Sequence, residues 1–303
     1  MTISLPALRS FAAVARLGKF SVAARELHLT QPALSRHVRL IEAQLGQPVF
    51  ERLPGGTRLT EAGKVFCGFV ETCLSSLHDG LEAVDAMRGG ETARIRLGLA
   101  GTLCNDIFLG VLRDFKARNP GIEVSLQMLV NSQVSEAVLR GDAHLGIQYR
   151  EDRHPRLRQD VLGKETVVVV CAPQHPMANA RTVHPGDLAA ETWIGTPIAL
   201  SDQEAEYRHY LARFGLVGNN IMIAQSYAIR NRLVEANLGI GIAVKSVVRK
   251  ELASGSLRAI HIPAMRGGTA IMLVRRKQGY LSASALSFAE LLKRAFSAPK
   301  NAD

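Results

Sequence analysis

The chain runs to 303 residues, 47% hydrophobic and 5% aromatic, with 37 lysines and arginines against 27 acidic residues for a net charge of +10. That length supports two or three domains with ample core. Arg9 and Arg16 interrupt the N-terminal apolar residues, and the longest apolar run, around 167–172, is only strand-sized. Neither a signal peptide nor a membrane span is therefore expected, and the expected location is cytoplasmic.

Charge is unevenly spread. Residues 1–60 carry eight basic side chains against three acidic ones, a surplus of +5, whereas residues 61–88 carry two against five and the remainder holds +8. A basic head suits phosphate binding; a basic remainder mildly favours an anionic small molecule, although solvated surface lysines and arginines give the same count. Cys67, Cys73, Cys104 and Cys171 are scattered, with no CxxC and no His/Cys cluster, which argues against structural disulfides and zinc.

Leu5, Leu8, Phe11 and Ala15 mark a first helix. Ser21 is the expected N-cap of the next one, whose buried edge is Val22, Ala23 and Leu27. His28-Leu29-Thr30 forms a turn, after which Thr30 caps a third helix with Pro32 in its first turn, where no N–H is needed. Leu34, Val38, Ile41 and Leu45 give that helix its buried stripe. Gln31, Ser35, Arg36 and Arg39 fall away from the stripe, as Gln for adenine, Arg for guanine or phosphate and Ser for either would require in a recognition helix. From Val49 through Pro54-Gly55-Gly56 to Thr60 the pattern is a hairpin with Arg52 and Arg58 on its arms, a wing suited to phosphate or minor-groove contact.

Here the string becomes specific. The residues Phe11, Ala23-Ala24, Leu27, Thr30-Gln31-Pro32-Ala33-Leu34-Ser35, Ile41-Glu42, Leu45-Gly46, Phe50-Glu51-Arg52 and Leu59-Thr60-Glu61-Ala62-Gly63 resemble the DNA-binding domain of LysR-type transcriptional regulators. The resemblance extends over essentially the whole chain. It implies a winged helix-turn-helix over residues 1–60, with Thr30, Gln31, Pro32, Ser35, Arg36, Arg39, Arg52 and Arg58 toward double-stranded promoter DNA. RNA polymerase is a further partner in that setting.

Residues 60 to about 88 carry Phe66, Phe69, Val70, Cys73, Leu74, Leu77, Leu81, Val84 and Met87 at helical spacing, with Thr60 as N-cap and Gly89-Gly90 as terminator. Such a stripe needs a covering partner. In the resembled family this linker, here 61–92, pairs two subunits into a homodimer, and homotetramers are the usual assembly.

Beyond the hinge, strands expected at 95–99, 122–128 and 145–149 alternate with helices at 106–118 and 132–140, implying a parallel sheet. A second set follows: strands at 167–172, 221–225 and 241–244, helices near 202–214 and 227–236, and a helix from Ser246. A strand at 270–275 and a helix at 282–296 close the chain. Residues 93–303 resemble the periplasmic-binding-protein-like, two-lobed α/β effector domain of the same family. Lobe I is placed at about 93–162 and 270–303, lobe II at about 163–269.

Open α/β sheets bind ligands beyond the carboxyl ends of their strands, where helix N-termini offer free N–H groups. Thr102, Ser132 and Tyr149 from lobe I, and Thr196, Tyr227 and Lys245 from lobe II, occupy such places. Thr102 and Ser132 double as helix N-caps, and Lys245 supplies charge or faces solvent. Trp193 reads as core beside the Thr196 loop, and His175 and His184 as surface or loop. GxSxG, GxGxxG, P-loop and HExxH are all absent from the sequence, so no catalytic residue, metal or cofactor is expected. Three rivals stand beside the regulator. They are a redox switch on Cys104 and Cys171, an enzyme fused to a DNA-binding head, and a transport binding protein, which the basic head and absent signal peptide oppose.

Overall fold

The computed structural model describes residues 3–87, 94–149, 151–198, 202–265 and 268–297. The chain divides into two units, one built on residues 1–90 and one holding most of the remainder.

In the N-terminal unit, α1 (Leu5–Leu17) starts at Ser4, whose Oγ accepts from the Ala7 N–H, and ends at Gly18, left-handed at φ 65°. α2 (Phe20–Glu26) begins before the expected cap: Lys19 precedes it without a side-chain cap, and Ser21 lies inside the first turn. Phe20, the first residue of the helix, is half-buried with its ring on Phe50, centroids 5.8 Å apart. His28 takes φ 53° in the turn to α3 (Gln31–Leu45), which Thr30 caps through Oγ1 to the Ala33 N–H at 3.4 Å. Leu34, Val38 and Ile41 are buried, and Leu45 packs half-buried against them.

The hairpin pairs β1 (Phe50–Leu53) with β2 (Gly56–Leu59) in the register Glu51↔Arg58 and Arg52↔Thr57. Thr60 Oγ1 then accepts from the Gly63 N–H at 3.0 Å and starts α4 (Glu61–Met87). A Cβ on Gly63 would lie 2.0 Å from the Val49 carbonyl oxygen, so only glycine lets the helix approach the wing this closely. The unit's core centres on Phe11, whose ring stands 5.2 Å from both Phe50 and Phe66. Val70 is buried there too, whereas Phe69, Leu77, Leu81, Val84 and Met87 remain exposed along α4. The expected Gly89-Gly90 terminator lies outside the described residues.

The second unit begins with β3 (Arg94–Ala100), α5 (Asp106–Arg118), β4 (Glu123–Leu129), α6 (Asn131–Arg140) and β5 (Leu145–Tyr149). Both β4 and β5 run parallel to β3. The next strand, β6 (Leu157–Cys171), is far longer than the six residues expected. Its first half alternates buried and exposed positions and holds Arg158, Asp160, Lys164 and Glu165, so no apolar run announces it. After it come β7 (Thr192–Gly195), α7 (Gln203–Ala212), β8 (Asn220–Ile223), α8 (Tyr227–Glu235), β9 (Gly241–Val244), α9 (Arg249–Ser254), β10 (Arg258–Ile260), β11 (Gly268–Arg276) and α10 (Ala283–Ser297). The short strands β7 and β10 were not foreseen, and α9 starts three residues after the expected Ser246.

The large sheet has the order β10-β6-β11-β5-β3-β4, with β9 also on β6. It is mixed rather than parallel throughout. β11 lies antiparallel between β5 and β6, because the chain comes back into the first lobe. Strand β6 serves both lobes: residues 157–166 pair with β11, and residues 167–171 pair with β9 and β10. One core gathers Leu97, Leu99, Phe108, Phe115 and Phe288. Another gathers Val169, Cys171, Trp193, Tyr207 and Ile242. Trp193 is fully buried, donating from Nε1 to the Leu188 carbonyl. His175 lies in a loop, as one of the two expected alternatives, but is buried there, with Nε2 3.4 Å from Glu191 and Nδ1 accepting from the Met177 N–H.

Candidate DNA-reading surface and ligand cavity

Helical periodicity decides what α3 shows. With Leu34, Val38 and Ile41 committed to the core, Gln31, Pro32, Arg36 and Arg39 are exposed and Ser35 is half-exposed. Gln31, Pro32, Ser35 and Arg39 line a groove whose other wall is the hairpin, through Phe50, Arg52 and Thr57. Arg36 and Arg58 are not among its lining residues. Thr30 acts locally as the helix cap.

The two wing arginines differ because successive strand residues face opposite ways. Arg52 shares a face with Thr57, toward the groove. Arg58 shares the other face with Glu51, and its Nε donates to Glu51 Oε1 at 2.5 Å. That hydrogen bond raises the arginine's pKa and lowers the carboxyl's. Both side chains are solvent-exposed, so the pair offsets part of the Arg58 charge.

In the second unit a cavity of about 420 Å³ lies where the carboxyl ends of β3 and β5 meet the start of α6, β9 and the N-terminus of α8. Thr102, Tyr149, Thr196 and Tyr227 line it, four of the six residues expected there. Ser132 and Lys245 are exposed and are not among the lining residues. Ser132 sits one helical step from Asn131 and Gln133, which do line the cavity, so its side chain turns outward. Lys245 follows the buried strand β9 and points the opposite way from Val244.

Polar groups converge on this space from both lobes. Thr102 Oγ1 donates to the Tyr149 hydroxyl at 3.0 Å, and Asn131 Oδ1 accepts from the Tyr149 N–H at 2.8 Å. Burial pushes the Tyr149 phenol up, and it pushes Tyr210 up to about 12, so both are neutral hydrogen-bonding groups near pH 7.

Sequence reading missed Arg230. It is 1% exposed, lines the cavity and is the one charged side chain among the described lining residues. Its Nε and Nη2 donate to Asn231 Oδ1 at 3.1 and 2.7 Å, and its Nη1 donates to the Ile242 carbonyl at 2.6 Å. The guanidinium carbon stands 5.5 Å from the Tyr227 ring centroid. Burial lowers its pKa. The signal was available: Arg230 lies four residues before Val234, on the face that α8 buries.

A basic winged helix-turn-helix joined to a two-lobed domain with a polar-centred cavity defines a DNA-binding regulator with a ligand-binding domain. Residues 5–64 match the family described as "Bacterial regulatory helix-turn-helix protein, lysR family", and residues 88–297 match "LysR substrate binding domain". The chain belongs to the LysR family of transcriptional regulators, and its relatives are regulators rather than enzymes. It is 26% identical over 292 residues to a "RuBisCO operon transcriptional regulator" of Allochromatium vinosum, covering 96% of each chain. It is 29% identical over 294 residues to the "HTH-type transcriptional regulator CbbR" of Rhodospirillum rubrum, covering 95% of each. Two solved structures share the fold at 22% identity. Full-length BenM has a TM-score of 0.58, covering 97% of this chain and 96% of that one. CbnR complexed with its target DNA has a TM-score of 0.53, covering 97% and 99%.

Proposed function

We propose that this regulator reads promoter DNA with the α3–wing groove and is controlled by an anionic effector held in the cavity between its lobes. The observation that carries the reading is the buried Arg230 facing that cavity, reached from the other lobe by Thr102 and Tyr149. Gln31 and Ser35 are assigned to base edges, Arg52 and Arg39 to the groove and its phosphates, and Arg36 to the flanking backbone. The division of labour follows the sequence reading: a DNA-binding domain to about residue 60, a linker helix, and an effector domain from about 93.

The exposed apolar face of α4, Phe69, Leu77, Leu81, Val84 and Met87, supports pairing of two copies through this helix. A dimer would then present two recognition helices to two half-sites, and two dimers a tetramer. The protein works in the cytoplasm; no helix among the described residues is long and apolar enough to cross a membrane. Effector binding acts by favouring one arrangement of the lobes and hence one assembly state, which demands different affinities for the two states. RNA polymerase would respond to the resulting promoter geometry.

The test is a genomic pull-down with the purified protein at moderate salt with competitor DNA, with RuBisCO operon promoters among the first to inspect. A few enriched intergenic sites sharing an interrupted inverted repeat are expected. Replacing Gln31 or Ser35 relaxes the preference at one position, each lost bidentate base contact costing roughly 1–3 kcal/mol. Only diffuse, salt-sensitive binding would sink the reading.

A further inference from the structure

We propose that the cavity selects an organic monoanion, a carboxylate carried on a compact apolar body, with Arg230 as its anchor. This rests on the reading of the cavity as the effector site, and it names the chemistry of what enters.

A guanidinium carries five N–H groups and keeps its charge inside proteins. At Arg230 three of the five are committed, to Asn231 Oδ1 and the Ile242 carbonyl, which leaves two among the described residues. None of the ion pairs formed by the described residues involves it. Glu251 stays one residue removed, accepting from Asn231 Nδ2 at 3.0 Å. A buried cation held only by neutral groups is costly, and an anion meeting two N–H groups gives a short, charge-assisted pair. The Tyr149 hydroxyl accepts from Thr102, so the phenol's own proton is left to donate to the same ligand.

The restriction to one charge comes from the rest of the wall. No second cation stands among the described lining residues, and Glu165, 3% exposed, adds its negative charge to the causes that keep Tyr149 protonated. A second anionic charge would be desolvated with no partner and with a carboxylate nearby. Met128, Leu129, Ile198, Ile242 and the Tyr227 ring give the wall its apolar stretches, and the other polar lining groups, such as Gln225 and Thr269, are neutral. About 420 Å³ is at the small end of ligand sites, which span roughly 300–1,000 Å³ and suit a ring-sized metabolite.

The experiment titrates the full-length protein by calorimetry with four probes: benzoate, neutral benzamide, phenyl phosphate and glucose 6-phosphate. Benzoate is expected to bind, benzamide at least tenfold more weakly, and both phosphates more weakly than benzoate. Arg230→Met should weaken benzoate at least tenfold, with Arg230→Lys in between. The comparison of probes on the unaltered protein decides the matter even where Arg230→Met does not fold. Benzoate failing to bind, benzamide matching it, or either phosphate exceeding it overturns the proposal. Gly101→Phe separates the two readings, since a side chain there points between Met128 and Tyr227 and fills the cavity. Binding lost in Gly101→Phe yet indifferent to ligand charge sinks only the monoanion. Binding that survives Gly101→Phe sinks the cavity itself.

Discussion

The wing offers a sharp test, because its two arginines stand on matching arms of one hairpin and yet face opposite ways. Arg52 faces the groove beside Gln31 and Ser35, whereas Arg58 is held by Glu51 at 2.5 Å on the opposite face. Each phosphate neutralised contributes about 0.9 to the slope of log affinity against log salt concentration. Arg52→Ala should therefore lower that slope by roughly 0.9 and weaken binding to every sequence. Over a fourfold rise in salt the variant would lose about 3.5-fold less affinity than the unaltered protein. Arg58→Ala should change the slope less, since Glu51 already offsets part of the arginine's charge. Glu51→Gln should release Arg58 and steepen the slope, and the double change Glu51→Gln with Arg58→Ala should remove that gain. The assay is fluorescence anisotropy with a labelled operator and a scrambled duplex across a salt series. Equal slope losses for Arg52→Ala and Arg58→Ala, with Glu51→Gln inert, would refute the reasoning, because the ion pair would then open on DNA and the face of the strand would not matter.

Further tests address other parts of the molecule. Gly63→Val should destabilise the N-terminal unit by about 1–3 kcal/mol, the usual cost of overpacking, because its Cβ meets the Val49 carbonyl; an unchanged melting temperature would contradict this. Phe69→Glu, at a position 72% exposed on α4, should halve the mass measured by light scattering while helical content persists; an unaltered mass would remove α4 from the subunit interface. At pH 8 iodoacetamide should modify the exposed Cys104 and spare the buried Cys171, whose thiol burial pushes up to about 11; equal rates by mass spectrometry would revive a redox pair. In alkali the buried phenols matter. Burial raises Tyr149, Tyr207 and Tyr210 above their usual 10.0, Tyr210 to about 12, so the folded state holds protons that the unfolded chain releases. Their stabilisation is complete below pH 10 and is lost as pH rises toward 12, which denaturant melts of the effector domain at pH 8 to 11.5 should show as a falling midpoint.

What could be read along the chain was whatever depends on neighbours a few residues away. The cap at Thr30, Pro32 behind it, the Leu34–Val38–Ile41 stripe and the Pro-Gly turn of the wing are all set by local backbone chemistry, and they appear in place. The alternation of strands and helices beyond residue 93 was legible for the same reason. It failed where a strand is amphipathic and charged, as in the first half of β6, and where strands have only three or four residues, as in β7 and β10. Even the start of α2 differed by two residues, with Ser21 inside the first turn and Phe20 packed on Phe50, a contact between residues far apart in sequence.

Along the chain, the residues from Phe11 to Gly63 carry the resemblance to the family, while periodicity and capping place the three N-terminal helices and the alternating strands and helices beyond residue 93. Which residues line the cavity follows from the packing of distant segments rather than from local pattern. The cavity collects Ala100, Tyr149, Thr196, Arg230 and Thr269 from strands, helices and loops far apart in sequence, and β6 ties both lobes into one sheet. Side-chain direction there depends on the exact position within each element. A one-residue step left Ser132 and Lys245 exposed, whereas Arg230, on the same helical face as Val234, is buried against the cavity.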